Sequence, residues 1–171
     1  MPGTHPMVRR LSPVWILLLA ACTTPDPLPP EAGSFEWLAY ENETVGFTLE
    51  YPDAYTADTE TDGRAVFFRG ERGVPVKVYW TSAREADGHG LWFGESPVSE
   101  ITLAGHEGHL YDYSHCDGPF CSQMKSYVIP LRDRFLALEF RSEGPLHDVN
   151  QHILDSFRLE GPPQDDALPA I

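Results

Sequence analysis

The chain has 171 residues and a formal net charge of −14, from 12 basic and 26 acidic side chains. That balance argues against nucleic-acid binding, which needs basic surface to neutralise phosphate, and against adhesion to anionic lipid headgroups. The length allows one domain with tails, and the three cysteines take their meaning from the compartment they reach.

The front of the chain reads as an export signal. Arg9 and Arg10 give a positive start, and Val14–Ala21 gives an apolar run of eight residues, VWILLLAA. A helix needs about 20 apolar residues to span a bilayer, so this run has the length of a secretory core segment instead. Leu19-Ala20-Ala21-Cys22 then resembles the bacterial lipobox. The resemblance implies cleavage before Cys22, a diacylglycerol on its sulfur and usually a further acyl chain on the new amino group. A plain signal peptide with a chance cysteine is the bland alternative, and Met7 competes with Met1 as the start. At about 0.8 kcal/mol per buried methylene, two or three acyl chains anchor a protein stably. No later segment is long and apolar enough to cross a bilayer as a helix.

Cleavage there leaves 150 residues, with ten basic against 26 acidic side chains and a net charge of −16. Residues 23–34, TTPDPLPPEAGS, hold four prolines and almost no large apolar group, so residues 22–34 are expected to be a lipidated tether. Known lipoproteins held at an inner membrane commonly carry Asp after the lipidated cysteine. Thr23 therefore points to the outer membrane if the organism has two.

A domain is expected over residues 35–160. TVGFTLEYP alternates Val45, Phe47, Leu49 and Tyr51 with small or polar residues, the period-two signature of a half-buried strand that Pro52 ends. AVFFRG and VPVKVYW follow as strands joined by ERG. Ser82-Ala83-Arg84-Glu85 fits a capping box for a short helical turn. VSEITL and HEGHLYDYSHC flank Ala104-Gly105 as a hairpin.

DYSHCDGPFCSQ comes next. Secretion makes Cys116 and Cys121 a disulfide candidate, since thiols oxidise outside the cytosol. A zinc site using both cysteines with His115 or His109 is the alternative, although no second ligand pair stands at zinc spacing. If Cys116 faces Cys121 across the turn, antiparallel pairing sets Ser114 against Gln123, Asp112 against Lys125 and Leu110 against Tyr127. The other face then pairs Tyr113 with Met124 and His109 with Val128.

SYVIPL and RFLALEF form a further hairpin about Arg132-Asp133, with Leu136, Leu138 and Phe140 on one face and Ala137 and Glu139 on the other. PLHDVNQHILDSF repeats Leu146, Val149, Ile153, Leu154 and Phe157 at helical spacing, with Pro145 near the first turn. Residues 161–171 are expected to be a disordered tail. The predicted class is α+β: a mainly antiparallel sheet of six or seven strands flanked by helices, including one at the C-terminus.

Gly46-Phe47-x-Leu49-x-Tyr51-Pro52, the hairpin ending RFLALEF and the closing HILDSF together resemble the PsbP-like family over about residues 41–160. The resemblance implies an antiparallel sheet flanked by helices. Members in photosynthetic organisms are extrinsic photosystem II subunits, and other bacteria have secreted and lipoprotein relatives. No catalytic residues characterise the family. The strong acidity here does not match a basic docking surface for a photosystem.

The candidate sites are sparse. DTETDG offers Asp58, Glu60 and Asp62 as the start of a calcium loop, but position twelve is Arg69 where a bidentate acid is needed. Trp92 and Phe93 sit in a glycine-flanked stretch, either folded onto the core or exposed as partner contacts. Ser114 and His115 point to opposite faces of a strand and make no nucleophile–base pair. The sequence thus predicts a membrane-anchored envelope lipoprotein without cofactor, a non-enzymatic accessory or protein-binding module with an envelope partner. A small-ligand or cation-binding module is the alternative, and a hydrolase a third.

Overall fold

The computed structural model describes residues 35–61, 63–71, 73–82, 97–131 and 134–160. Cys22 and the tether, the capping-box turn, Trp92, Phe93, Asp62, the Arg132-Asp133 turn and the C-terminal tail lie outside them.

Ten strands and one helix are formed by the described residues: β1 (Trp37–Asn42), β2 (Phe47–Pro52), β3 (Thr56–Thr59), β4 (Ala65–Gly70), β5 (Gly73–Ser82), β6 (Ser99–Leu103), β7 (His106–Asp117), β8 (Phe120–Leu131), β9 (Arg134–Arg141), α1 (Asp148–Ser156) and β10 (Arg158–Leu159). They build a seven-stranded sheet, β3-β4-β5-β9-β8-β7-β6, and a three-stranded sheet, β1-β2-β10. Every strand pairing is antiparallel.

The predicted strands form, and the single sheet becomes two. In place of several flanking helices, the described residues hold one. The extra strands, β1, β3 and β10, carry weak sequence patterns and lie at sheet edges.

The hairpin register follows the cysteine pair. Cys116 stands opposite Cys121, Ser114 opposite Gln123, Asp112 opposite Lys125, Leu110 opposite Tyr127, Tyr113 opposite Met124 and His109 opposite Val128. Lys125 and Asp112 form an ion pair. The β6–β7 turn is made by Ala104 at φ 50° and Gly105 at φ 81°. Two successive left-handed residues twist a two-residue hairpin loop in the sense the strands require.

The small sheet and α1 cover one face of the large sheet. Val66 and Phe68 of β4, Val76 and Val78 of β5 and Leu136, Leu138 and Phe140 of β9 point into this layer and are buried. Phe47 and Leu49 meet them from β2, and Val149, Ile153, Leu154 and Phe157 from the helix side. Rings interlock within and between the layers: Phe47 stacks on Phe157 at 5.6 Å inside the covering layer, and Tyr40 meets Phe68 of the large sheet edge-on at 5.5 Å.

The helix begins later than the proline signal suggests. His147 is its N-cap, in extended conformation and without a side-chain cap bond, so Pro145 stands two residues outside. Asp148 supplies the acidic first turn that favours the helix dipole. At the other end Arg158 donates to the carbonyls of Asp155 and Phe157 at 2.6 and 2.8 Å, satisfying oxygens the helix leaves open.

Candidate functional site on the second face of the large sheet

β9 is the central strand of seven, so both of its faces are buried. Because Leu136, Leu138 and Phe140 face the core, Ala137 and Glu139 face the other way. The registers extend this second face across the strands. Lys77 stands opposite Glu139, Glu139 opposite Ser126 and Ser126 opposite Tyr111. One row along, Arg141 stands opposite Met124 and Met124 opposite Tyr113. Tyr113, Val128 and Ala137 form a small apolar cluster here, with Tyr79, Tyr111, Met124 and Phe135 packed against it.

Glu139 is 7% exposed within that cluster. Its Oε2 accepts hydrogen bonds from Tyr113 at 2.5 Å, Ser126 at 3.0 Å and Tyr79 at 3.4 Å. A buried carboxylate costs several kcal/mol unless donors replace its water, and these three hydroxyls do so. The Tyr113 phenol is raised far above its ordinary range, first by burial, then by the Glu139 charge and the hydrogen bond to it. Such a phenol is a fixed donor and not a general base. Burial also raises Tyr111.

Lys77 reaches across the same surface. Its Nζ lies 4.3 Å from the centroid of the Tyr79 ring and 5.2 Å from that of Phe67, and the Arg69 guanidinium lies 5.1 Å from the same Phe67 ring. The rings hold both cations against the sheet. Beside them runs an open groove of about 790 Å³. Phe67, Arg69, Pro75 and Lys77 line one side. Glu139, Arg141 and Met124 line the other, and His115, Ser122 and Phe120 close the hairpin end. That volume lies within the range of small-molecule sites, about 300–1,000 Å³.

A second hollow, of about 450 Å³, lies on the small sheet and helix. There His152 Nε2 meets Glu50 Oε2 at 2.7 Å, and Trp37 stacks on the imidazole at 3.8 Å. Ser156 is nearby, but its hydroxyl donates to the Ile153 carbonyl at 2.9 Å and accepts from the Glu50 N–H at 2.9 Å. With its proton committed to the helix, Ser156 is not arranged as an attacking group.

The cysteine pair is bonded, Cys116 Sγ to Cys121 Sγ at 2.06 Å, at the exposed end of the β7–β8 hairpin. The zinc alternative is thereby replaced by the bridge. Of the calcium-loop candidates, Asp58 lies on β3 and not in a loop, with Oδ2 2.7 Å from Arg69 Nε. Glu60 follows at the turn, where its N–H donates to the Ala65 carbonyl. Among the described residues no three His, Cys, Asp or Glu side chains gather as a metal-binding group.

Sequence reasoning passed over Glu139, Lys77 and Arg141 as site residues. A signal for the first was present. A two-residue turn at Arg132-Asp133 sets Glu139 opposite Ser126 by the counting that paired the cysteines. Its burial depends on several strands together and is not visible in any one.

No family model matches the chain, and no curated protein matches it by sequence. Solved structures share its fold. The chain is similar to cyanobacterial PsbP (CyanoP) from Synechocystis sp. PCC 6803, with a TM-score of 0.51 and 11% identity over 78% of this chain and 98% of that one. It is similar also to a crystal structure from Bacteroides thetaiotaomicron VPI-5482, with a TM-score of 0.52 and 8% identity over 72% of this chain. The match spans about half the length of that protein, 48%. The fold is PsbP-like, as the sequence motifs imply.

Proposed function

We propose that the chain is an envelope lipoprotein, anchored through lipid on Cys22, whose PsbP-like domain is a non-enzymatic accessory or binding module. The lipobox and the proline-rich tether support the anchor, and Thr23 favours the outer membrane where there are two. The working surface is the second face of the large sheet, presented to an envelope partner.

One observation carries this choice of surface. The small sheet and α1 cover the first face, while among the described residues no strand or helix packs on the second. A sheet face that no described element covers, its buried cluster edged by half-buried aromatics and an exposed ring, Phe120 at 56%, supports a contact surface there. The chemistry of its polar groups supports a binding role. Glu139 is committed to three hydroxyls, and the Ser156 hydroxyl beside the His152–Glu50 contact donates its proton to the Ile153 carbonyl. The groove favours a second reading, a module that takes a small ligand.

A photo-crosslinking residue at Phe120, introduced in the full chain in intact cells, tests the surface. The expected result is a discrete adduct with an envelope protein that the same residue at Arg158, on the small sheet, does not give. Matching adducts from both positions, or none from Phe120, would reject it.

A further inference from the structure

We infer that the groove binds a small organic anion with an apolar body, the acidic group held at Lys77, Arg69 and Arg141 and the body lying toward Met124 and Phe120. This rests on the second face being the working surface.

Charge placement is the first argument. Ten basic side chains follow residue 21, and three of them line this one groove of a strongly acidic protein. Only two of the ten are lysines. Lys125 faces the opposite side of the sheet in an ion pair with Asp112, and Lys77 is in the groove. Three cations along one groove of an acidic protein favour an anionic group there over a neutral or cationic one.

The second argument is orientation. Lys77 lies over Tyr79 and Phe67, and Arg69 over Phe67, so rings support the cations from beneath. Pre-placed cations lose less freedom on binding than free side chains do. Arg69 also meets Asp58, which screens it, so Lys77 is expected to contribute most. Among the described residues Glu139 is the one carboxylate lining the groove, and it accepts from the Tyr113, Ser126 and Tyr79 hydroxyls at the floor.

Shape gives the rest. From Met124, in the Arg141 row, the lining runs past Ser122 and His115 to the exposed ring of Phe120 at the stapled hairpin end, so apolar surface stands at both sides of this stretch. A bare inorganic anion would leave this half of the groove unused. An amphipathic acid fills both halves.

The test is calorimetric titration of naphthalene-2-sulfonate into the full-length chain in lipid nanodiscs, with empty discs subtracted. Its neutral isostere, 2-naphthalenemethanol, runs alongside. Saturable one-to-one binding is expected. Lys77→Gln and Arg69→Gln should each weaken it, Lys77→Gln by about tenfold, the loss of one charged hydrogen bond. Arg158→Gln, on the small sheet, should leave it unchanged, and melting curves check that each variant folds. Absence of saturable binding, equal binding of the neutral isostere, or unchanged affinity in both groove variants overturns the inference. Equal binding of inorganic sulfate overturns the apolar half. The crosslinking result at Phe120 stands independently of each outcome.

Discussion

Replacing Glu139 by alanine should destabilise the protein by about 3 kcal/mol. Two of the hydroxyls that donate to it are buried, Ser126 at 0% and Tyr113 at 6% exposure. Each buried donor left without an acceptor costs about 1–3 kcal/mol, a gross loss of roughly 2–6 kcal/mol. Removing a buried charge returns part of its own desolvation cost, which sets the net below the middle of that range, at about 3 kcal/mol. Tyr113 and Ser126 lie 3.4 Å apart and recover one weak bond between them. Glu139→Gln keeps an acceptor and should cost about half as much. Urea unfolding followed by tryptophan fluorescence measures both, and a double-mutant cycle with Tyr113→Phe isolates the pair. A coupling of about 1–3 kcal/mol is expected. A loss below about 0.5 kcal/mol for Glu139→Ala, or no coupling to Tyr113, would refute the hydroxyl cage.

Gly108→Ala should destabilise by about 1–3 kcal/mol, because the added Cβ would meet the Val128 carbonyl oxygen, a backbone atom that cannot swing aside. Chemical denaturation measures it, and an unchanged midpoint would contradict the close approach. Reduction of Cys116–Cys121 should lower stability by about 2 kcal/mol, the value for a short closed loop, seen as a lower unfolding midpoint under reductant. Burial pushes the Tyr55 phenol up to about 12, and its hydroxyl has no partner. Unfolded tyrosine releases its proton near 10, so between pH 10 and 12 the unfolded chain binds fewer protons and stability falls. At about 1.4 kcal/mol per pH unit the loss from this residue reaches roughly 3 kcal/mol by pH 12. Tyr55→Phe should flatten that alkaline decline, measured by melting temperature against pH, while leaving stability below pH 9 no lower.

The strands most legible in the sequence are those whose pattern is local. Leu136, Leu138 and Phe140 alternate against Ala137 and Glu139, and the pattern survives folding because one face meets the core. The β7–β8 register was readable to the residue, since a cysteine pair across a short turn leaves one antiparallel solution. β3 and β10 were hidden for the opposite reason. TADT lacks large apolar side chains, and Arg158–Leu159 becomes a strand only because β2 lies beside it. The helix start illustrates a conflict between local signals, with Pro145 suited to a first turn and Asp148 taking it. At the candidate site, RFLALEF fixed the direction of Glu139 but not its burial. That required β5, β8 and β7 to bring Lys77, Ser126 and Tyr113 around it.

The proposed attachment to a membrane outside the cytosol underlies the expected tether and envelope role, and the mass of the mature amino terminus tests it most directly. Intact mass spectrometry of the chain extracted from membranes should find residues 1–21 removed and Cys22 carrying a diacylglyceryl group. A soluble product that retains residues 1–21, or a membrane product with an unmodified Cys22 thiol, would contradict the account.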